Sequence, residues 1–376
     1  MKICIVVNSA WNIYNFRAGL IRSLQKSNHE IITVAPDDGY VKHLQKLGCR
    51  HRNIQIENKG NNPIKDFWLF LQLFYIYLVE KPHVVLHYTI KPNIYGTLAA
   101  AVLKIPSINN VTGLGTTFLH DNLTAKIAHW LYRFAFRFAQ VVFFQNPDDR
   151  QVFVERRLVK PEITDLLPGS GIDTNKFRPS QSPKNKVFTF LLIARILYDK
   201  GILEYVEAIR ILRRKNIQAR FWLLGKIETS AGLGIPPSEV AAWEAEGLLE
   251  YLGTADNVIP IIRRADCVLL PSYREGTPRT LLEAASLGKP IIATNVPGCR
   301  ETVQHGFNGF LCKVKDPADL ADKMEQIMKA DEVTRRKMGQ NSRRLAVERF
   351  DQRIVIRKYQ QALASIATTT GIEMIS

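Results

Sequence analysis

Apolar and polar positions along the chain follow two alternating periods. Short continuous apolar runs, rich in β-branched residues, are each followed by a longer stretch in which apolar residues recur every three or four positions. The runs predict buried strands, and the stretches predict helices that cover them. In the first half of the chain we expect strands at residues 3–7, 31–35, 84–87, 107–111 and 141–145, and helices at 16–27, 64–79, 93–103 and 123–139.

The same alternation restarts after a segment of different composition. Residues 168–185 are rich in Pro, Gly, Ser and Lys, which is typical of a linker between domains. Beyond this segment we expect strands at 187–193, 221–224, 267–270 and 290–293, and final helices at 316–328, 332–348 and 351–366.

This pattern predicts an α/β protein with two Rossmann-like domains that face each other across a cleft. Residues 1–170 would form the first domain and residues 180–350 the second. Residues 351–376 would form a helix that packs back on the first domain. The length of 376 residues and the apolar fraction of 46% suffice for two hydrophobic cores.

The charge balance narrows the class of ligand. Basic residues exceed acidic ones by 51 to 35, which gives a net charge of +16. Such an excess suits a phosphate-rich ligand or an anionic membrane surface. We expect no nucleic-acid partner, because the chain has no RNA-binding aromatic motif, no zinc-finger spacing and no basic recognition arm.

The cysteines and the hydropathy of the chain indicate the cellular compartment in which the protein is expected. The five cysteines form no C-x-x-C pair, which predicts reduced thiols in a cytoplasmic protein. The first residues look like a strand without a cleavage site, so no signal peptide is expected. The most apolar run, residues 67–79, is shorter than the roughly 20 residues that a membrane-spanning helix needs.

Two basic residues follow the first strand of the second predicted domain. Arg195 comes directly after the apolar run, and Lys200 lies five positions later, before a glycine and a helix. Ligands of open parallel sheets bind at the carboxyl ends of the strands. A guanidinium and an ammonium at such an end can neutralise a diphosphate. Two ordinary surface cations fit this spacing equally well.

A short predicted helix in the second domain offers backbone donors. Thr277 fits an N-cap, and Pro278 fits the first helical position. The backbone amides of Arg279, Thr280 and Leu281 would then be free to bind phosphate, as the N-termini of helices commonly do.

Two glutamates flank the start of that helix. Glu275 is placed to accept hydrogen bonds from ligand hydroxyls, although an acidic residue near a helix N-terminus is favourable without any ligand. Glu283 fits a solvated helix face, but the helix is otherwise apolar, and a buried carboxylate needs partners such as a ribose diol. The spacing is also compatible with a glycosidase pair. Against that reading, a neutral glycoside has no diphosphate for the neighbouring cations to neutralise.

These residues resemble a known motif. Glu275-Gly276 with Glu283 matches the E-x7-E pattern of the family 4 glycosyltransferases, which are retaining enzymes with the two-domain GT-B fold. The same family pattern includes Arg195 with Lys200 and, in the same order along the chain, the segments at 168–179 and 288–312. The whole chain looks most like the bacterial members that add an N-acetylhexosamine to a sugar on undecaprenyl diphosphate.

The resemblance implies a UDP-sugar donor, a polyprenyl-diphosphate-linked acceptor, and no metal or other cofactor. Arg195 and Lys200 would hold the donor diphosphate, and Glu275 would contact the hydroxyls of the transferred sugar. Glu283 would bind the ribose. The remaining donor contacts would come from backbone groups at Leu252, Gly276, Thr277, Thr280 and Leu281.

The first domain offers candidates on the acceptor side. Arg17 would contact a diphosphate, or it is a surface arginine of a helix. His87 and Lys91 lie near the end of a predicted strand, where the family often places a histidine against the donor sugar. Gly113 and Gly115 follow the next strand and resemble the acceptor-side loop of the family. No D-x-D motif lies in a suitable loop, which agrees with the absence of a metal in the family pattern.

A basic stripe lies on the predicted helix at 123–139. Lys126, His129, Arg133 and Arg137 fall on one side of it, with Trp130 beside them. Basic residues bordered by aromatic ones suit the anionic inner leaflet of a membrane, but a core helix with one solvated cationic face looks the same. We expect a cytoplasmic protein that binds the membrane peripherally. Two alternatives stay open: a transferase of this fold with a soluble acceptor, and a non-catalytic protein that binds a nucleotide sugar.

Overall fold

The computed structural model describes residues 1–57, 62–114, 123–180, 186–228 and 233–371. The chain divides into two compact units, each built on its own parallel sheet. The first unit contains Met1–Gly171 together with Gln352–Ser376, and the second contains Ile172–Asp351. The prediction of two parallel-sheet α/β domains is therefore confirmed.

The first unit is built on a sheet in the strand order β3-β2-β1-β4-β5-β6-β7, and all its strand pairs are parallel. The inner strands are buried on both faces, which explains why they are continuous apolar runs in the sequence. The strands are β1 (Lys2–Val6), β2 (Glu30–Ala35), β3 (Arg50–Asn53), β4 (Val84–Tyr88), β5 (Ser107–Val111), β6 (Val141–Phe144) and β7 (Thr164–Leu166).

Helices cover both faces of this sheet. They are α1 (Ala10–Lys26), α2 (Val41–Lys46), α3 (Pro63–Glu80), α4 (Thr97–Val102), α5 (Leu123–Ala135) and α6 (Pro147–Glu155), with a π-helical turn at Pro92–Gly96 and a 3₁₀ turn at Pro161–Ile163. The chain moves outward from β1 in one direction and then in the other, so right-handed crossovers place α1 and α2 on one face and α3 to α6 on the opposite face. The separate apolar cores of the two faces agree with this arrangement.

The second unit repeats the design with the strand order β10-β9-β8-β11-β12-β13, again with parallel pairs. Its strands are β8 (Thr189–Ile193), β9 (Arg220–Leu224), β10 (Glu250–Tyr251), β11 (Cys267–Leu270), β12 (Ile291–Thr294) and β13 (Gly309–Cys312). Its helices are α7 (Ile202–Arg214), α8 (Pro237–Ala245), α9 (Ile259–Arg264), α10 (Arg279–Ser286), α11 (Pro317–Lys329) and α12 (Glu332–Arg349), with a 3₁₀ turn at Tyr198–Lys200.

The last helix, α13 (Gln352–Thr370), belongs to the first unit, as predicted. Tyr359 and Leu363 join the apolar core between α1 and the first sheet. The side-chain amide of Asn110 in β5 donates to the Tyr359 hydroxyl at 3.1 Å. The chain therefore crosses to the second unit once and returns at its end.

The five cysteines are all buried and free. Cys4 and Cys49 lie in the first unit, and Cys267, Cys299 and Cys312 lie in the second. Burial raises the pKa of the Cys49 thiol to about 11 and that of Cys312 to about 12. These two thiols therefore stay protonated at neutral pH.

No helix in the described ranges is both long enough and apolar enough to span a bilayer.

Candidate active site

The first part of the site is the turn between β8 and α7. Arg195 is exposed two residues after β8, and Lys200 ends the following 3₁₀ turn. Gly201 then takes a left-handed conformation, with φ of +71°. A Cβ at this glycine would lie 2.0 Å from the carbonyl oxygen of Pro271, just beyond β11. The turn is therefore pressed against the end of the neighbouring strand, which no larger residue would permit.

Lys200 and Glu275 form an ion pair that the sequence analysis did not foresee. Lys200 Nζ lies 2.6 Å from Glu275 Oε1, and the two side chains are only 13% and 17% exposed. Burial by itself would lower the pKa of Lys200, but the charges of Glu275 and Asp199 outweigh it and hold that pKa above its usual value, while Arg195 opposes them. Lys200 is therefore a fixed ammonium, with the positive charge of Arg195 close enough to act on it.

The loop after β12 packs closely against the turn that carries Glu275 and supports it. The Glu275 N–H donates to the carbonyl oxygen of Pro297 at 3.2 Å. Gly298 has φ of +85°, and a Cβ there would lie 2.4 Å from the Glu275 carbonyl oxygen and 2.5 Å from that of Gly276. Gly298 thus lets the loop after β12 reach the backbone of Glu275 directly. Sequence analysis missed this role, although a glycine directly after a proline is a turn signal.

The helix that follows Glu275 starts later than the sequence predicted. α10 begins at Arg279, and Pro278 occupies the N-cap position without a side-chain cap. The assignments of Thr277 as N-cap and Pro278 as first helical residue are therefore wrong. The Leu281 N–H donates to the Pro278 carbonyl at 3.1 Å, so one of the three amides expected to be free is already used. Thr280 lies half-buried in the first turn.

Glu283 lies on α10 and is 13% exposed, so it is not on a solvated helix face. Burial raises the pKa of its carboxyl group, and the charges of Arg279 and Lys176 oppose that shift. Arg279 Nε lies 3.2 Å from Glu283 Oε1. Since Glu275 pairs with Lys200, the two carboxylates are held by different cations, which does not suggest an acid/base pair.

Leu252 follows β10 at the edge of the same sheet. Its N–H donates to the Leu223 carbonyl at 2.8 Å, and the Gly225 N–H donates to the carbonyl of Gly253 at 2.8 Å. Arg195, Leu252 and Glu275 thus come after β8, β10 and β11, whose carboxyl ends share one edge of the parallel sheet. The second unit brings the main predicted donor-binding residues to this edge.

The first-unit candidates are less accessible. Arg17 is 5% exposed, and its guanidinium carbon lies 4.3 Å from the centre of the Tyr88 ring. It lines a cavity of about 10 Å³ with Asn110 and Ser170, and its Nε and Nη1 have no partner among the described residues. A cavity of this size holds a single water and not a diphosphate. The predicted contact would therefore require Arg17 to move.

Lys91 is also engaged within the first unit. Its Nζ lies 2.7 Å from Asp66 Oδ1, and the Tyr95 hydroxyl donates to Asp66 Oδ2 at 2.9 Å. Gly113 follows β5 with φ of +132°, a conformation that suits glycine. Gly115, the second glycine of the predicted acceptor loop, lies outside the described residues.

His87 lies in the interior of the first unit with no exposed surface. The Tyr77 hydroxyl lies 2.8 Å from its Nε2, and Asn109 Oδ1 lies 3.1 Å from its Nδ1. A Cβ on Gly96 would lie 2.4 Å from its Nε2. Burial lowers the pKa of His87 to about 3, so the ring is neutral. The placement of His87 against a donor sugar is therefore not supported, because its ring nitrogens face internal partners.

Thr89 lies directly after β4, and its backbone conformation could not be read from the sequence. It has φ of +70°, which is unfavourable for a β-branched residue. Among the described residues its buried hydroxyl has no hydrogen-bond partner. Such strain is found preferentially at functional sites, and Thr89 marks the end of β4, where the strand order of the first sheet reverses.

The basic stripe of α5 is present in part. Lys126, Arg133 and Arg137 are exposed, and the Trp130 ring is 65% exposed. Arg137 lies beyond the end of the helix at Ala135, in the turn that follows. His129 does not belong to the free stripe, since its Nε2 lies 3.1 Å from Arg156 Nη1.

Known families match both parts of the chain. The model described as "Glycosyl transferase 4-like" matches residues 2–146, and the model "Glycosyl transferases group 1" matches residues 173–345. In Campylobacter jejuni, N,N'-diacetylbacillosaminyl-diphospho-undecaprenol alpha-1,3-N-acetylgalactosaminyltransferase is 27% identical over 96% of this chain and 97% of its own. In Escherichia coli, UDP-Gal:alpha-D-GlcNAc-diphosphoundecaprenol alpha-1,3-galactosyltransferase is 25% identical over 77% of this chain and 76% of its own.

Solved structures share the same architecture. The crystal structure of Anabaena HepE in complex with UDP-glucose superimposes with a TM-score of 0.81 at 19% identity. The superposition covers 97% of this chain and 100% of that one. At this level of identity the likeness shows the fold.

Proposed function

Given that this chain is a family 4 glycosyltransferase with the GT-B fold, we propose that it moves a sugar from a UDP-sugar to a saccharide on undecaprenyl diphosphate. The sugar we favour is an N-acetylhexosamine such as N-acetylgalactosamine. Support comes from the Campylobacter relative, which is named as an N-acetylgalactosaminyltransferase acting on a diphospho-undecaprenol-linked sugar and which matches 96% of this chain. The E. coli relative is also named for an acceptor on diphosphoundecaprenol.

The observation that carries the proposal is the Lys200–Glu275 pair beside Arg195. The diphosphate gains negative charge as the bond to the sugar breaks, and preorganised cations stabilise that charge best where water is scarce. Lys200 is mostly buried and is held as an ammonium ion, and Arg195 is exposed nearby. We infer that these cations, without a metal ion, neutralise the departing UDP.

The two glutamates would bind different parts of the donor. Glu275 Oε1 already accepts from Lys200, so the carboxylate is fixed in place, and its other oxygen would accept from hydroxyls of the transferred sugar. Glu283 is buried with a raised pKa and one cationic neighbour at 3.2 Å, so hydroxyl donors from a ribose would stabilise its charged form. In this proposal the anomeric configuration of the sugar is retained.

With such an acceptor the enzyme would act at the inner face of the bacterial membrane, as a peripheral protein. Lys126, Arg133 and Arg137 with Trp130 would supply electrostatic attraction to anionic lipids. We expect binding to anionic vesicles to weaken steeply as salt rises. The triple substitution Lys126→Gln/Arg133→Gln/Arg137→Gln should reduce that binding, while turnover on a short-chain, water-soluble acceptor stays unchanged. If the triple variant binds the vesicles as well as the unchanged protein at every salt concentration, the stripe is only a solvated helix face.

The function itself is tested by transfer to defined acceptors. Purified protein is incubated with UDP-N-acetylgalactosamine, UDP-N-acetylglucosamine or UDP-galactose. The acceptor is undecaprenyl diphosphate bearing an N-acetylated hexosamine, or a short-chain isoprenoid analogue of it. We expect acceptor-dependent release of UDP and an α-linked product, which NMR identifies. UDP release with soluble sugar acceptors alone would favour the runner-up activity, and no transfer with any pair would overturn the proposal.

A matched pair of variants controls for general damage. Lys200→Met removes the cation of the site, whereas Lys215→Met removes a half-exposed lysine that pairs with Glu325 at 2.7 Å elsewhere in the second unit. Only the first change should lower turnover strongly, by about 10²–10³-fold.

A further inference from the structure

Helix α3 has two apolar faces, and only one of them packs in the core. Leu69, Leu73, Ile76 and Tyr77 are buried against the first sheet. Seven large apolar residues on the other face are between 36% and 79% exposed: Ile64, Phe67, Trp68, Leu71, Tyr75, Leu78 and Val79. At 100° per residue these seven fall within an arc of about 120°, opposite the buried residues. We call this set the α3 apolar face.

Such a surface is unusual on a protein surrounded by water. Monomeric proteins seldom expose a contiguous apolar patch of this extent, and those that do generally use it to bind a partner or a membrane. The helix has 18 residues and is therefore about 27 Å long, and the face runs along nearly all of it, from Ile64 to Val79. Its rings include Trp, Tyr and Phe, the types that favour the boundary between lipid headgroups and acyl chains.

The acidic groups of α3 do not lie on this face. Asp66 is held by Lys91 and Tyr95. Glu80 is 3% exposed and pairs with Arg50 and Arg52 of the edge strand β3. The one exposed acidic residue just before the helix, Glu57, is neutralised by Lys65 at 3.1 Å. The face therefore presents no unpaired carboxylate within the described residues, and anionic lipid would meet no repulsion from it.

The neighbouring helices of the same layer add apolar and basic groups. Both α3 and α5 cover the sheet face that also carries α4. Val102 at the end of α4 and Ile127, Trp130 and Phe134 on α5 are exposed. Among the described residues, the exposed charged residues next to them in the chain are basic, namely Lys104, Lys126 and Arg133. Apolar rings bordered by cations match an anionic bilayer better than the surface of a second protein chain.

We propose that the α3 apolar face inserts into the interfacial region of an anionic phospholipid bilayer, with α3 lying in the plane of the membrane. The basic residues of α5 would then serve as the electrostatic part of the same docking surface. This inference deepens the proposed function, because it names the element that meets the membrane in which the acceptor lipid resides.

The test compares two matched triple variants in vesicle sedimentation. Phe67→Ser/Trp68→Ser/Tyr75→Ser changes the α3 apolar face, and the control changes three exposed valines of the second unit to serine: Val314, Val333 and Val347. With vesicles of phosphatidylcholine and phosphatidylglycerol we expect the α3 variant to bind at least a hundredfold more weakly, because three inserted side chains are lost. The control should bind as the unchanged protein does. Equal binding by both variants overturns the proposal.

A second measurement reports insertion directly. The double substitution Trp11→Phe/Trp130→Phe leaves Trp68 as the exposed tryptophan, since Trp222 and Trp243 are buried. Brominated acyl chains should quench its fluorescence on vesicle binding and shift the emission to the blue. Vesicle binding without quenching would show that another surface docks. If the Phe67/Trp68/Tyr75 variant does not fold, as judged by near-ultraviolet circular dichroism, this measurement still decides the question.

Measurements of turnover with two kinds of acceptor distinguish a failure of this proposal from a failure of the proposed function. The α3 variant should release UDP normally with the short-chain acceptor and lose activity only with vesicle-embedded acceptor. No transfer by the unchanged protein, with vesicle binding and quenching as expected, would overturn the function and keep the docking surface. Concentration-dependent dimers that the triple substitution abolishes, with unchanged vesicle binding, would assign the face to a second copy of the chain and overturn the proposal.

Discussion

Replacing Lys200 by methionine removes one charge from the site while keeping most of the volume of the side chain. The ammonium lies 2.6 Å from Glu275 Oε1 in a setting where both groups are mostly buried. If it stabilises the departing UDP, its loss should lower turnover by about 10²–10³-fold, or roughly 3–4 kcal/mol, the scale for removal of one preorganised group. Alanine at Arg195 or at Lys200 should each have an effect of the same order.

The same substitution has a cost in stability that the structure also predicts. Removing one member of a buried ion pair leaves the other uncompensated and costs up to about 3–5 kcal/mol. This value is an upper bound here, because the Glu275 side chain is still 17% exposed and water can partly solvate its charge. Lys200→Met/Glu275→Gln should lose less stability than Lys200→Met alone. Since the pKa of Lys200 is raised in the folded protein, the pair stabilises fully below the ordinary lysine pKa and is lost as the pH rises above it.

Two assays separate these effects. Single-turnover UDP release measures the chemical step, and urea denaturation at pH 8 measures the free energy of unfolding. Lys215→Met, at the pair with Glu325, provides the control for loss of a lysine. Turnover of Lys200→Met within twofold of the unchanged protein, or an equal loss in Lys215→Met, would refute the role of this cation in transfer.

Three other predictions concern the glutamates, metal and acid stability. Glu283→Ala should mainly weaken UDP binding in calorimetry, since ribose contacts are the same in ground and transition states, whereas Glu275→Ala should mainly lower turnover; equal losses of UDP affinity would contradict this division. Treatment with EDTA should leave transfer largely intact, and a complete loss that Mg²⁺ restores would reveal a metal site. His87 has a pKa of about 3 when folded, below its ordinary value, so the folded state binds fewer protons and stability falls as the pH drops from about 6.5 toward 3. Between pH 7 and pH 5 His87 should account for about 2 kcal/mol of this loss. The urea midpoints of the unchanged protein and of His87→Gln should reveal that difference, and parallel pH profiles would contradict it.

The strands were predictable because burial on both faces leaves a continuous apolar run. The predicted strands at 107–111 and 267–270 match β5 and β11, and the other predicted strands differ from the observed ones by at most two residues at either end. The strands β3, β7, β10 and β13 were not predicted. Helix starts were harder. α1 begins at Ala10 instead of residue 16, because the Ser9 side chain accepts from the Asn12 N–H and extends the helix through polar positions. The predicted helix at 93–103 is divided by the π-helical turn that starts at Pro92.

The candidate site was predictable as a set of residue types but not as a set of contacts. Lys200 and Glu275 are 75 positions apart, and only the pairing of β8 with β11 brings them together. The direction of a side chain at a strand end cannot be read from the pattern, which is why His87 was expected to contact the donor sugar and is found inside the first unit. The apolar face of α3 was visible only as a run too short to span a membrane. Its two-sided character requires knowledge of which half of the helix is covered.

The buried thiols have a practical consequence for measuring how the chain unfolds. A thiol reacts with an alkylating reagent only as the thiolate, so these groups should react only after local or global opening. Cys4 and Cys49 report on one sheet and Cys267, Cys299 and Cys312 on the other. Pulse alkylation followed by peptide mass spectrometry would give separate opening rates for the two units from the natural chain. UDP added during such an experiment should slow labelling of the second set, because a ligand that binds only the folded form reduces its opening.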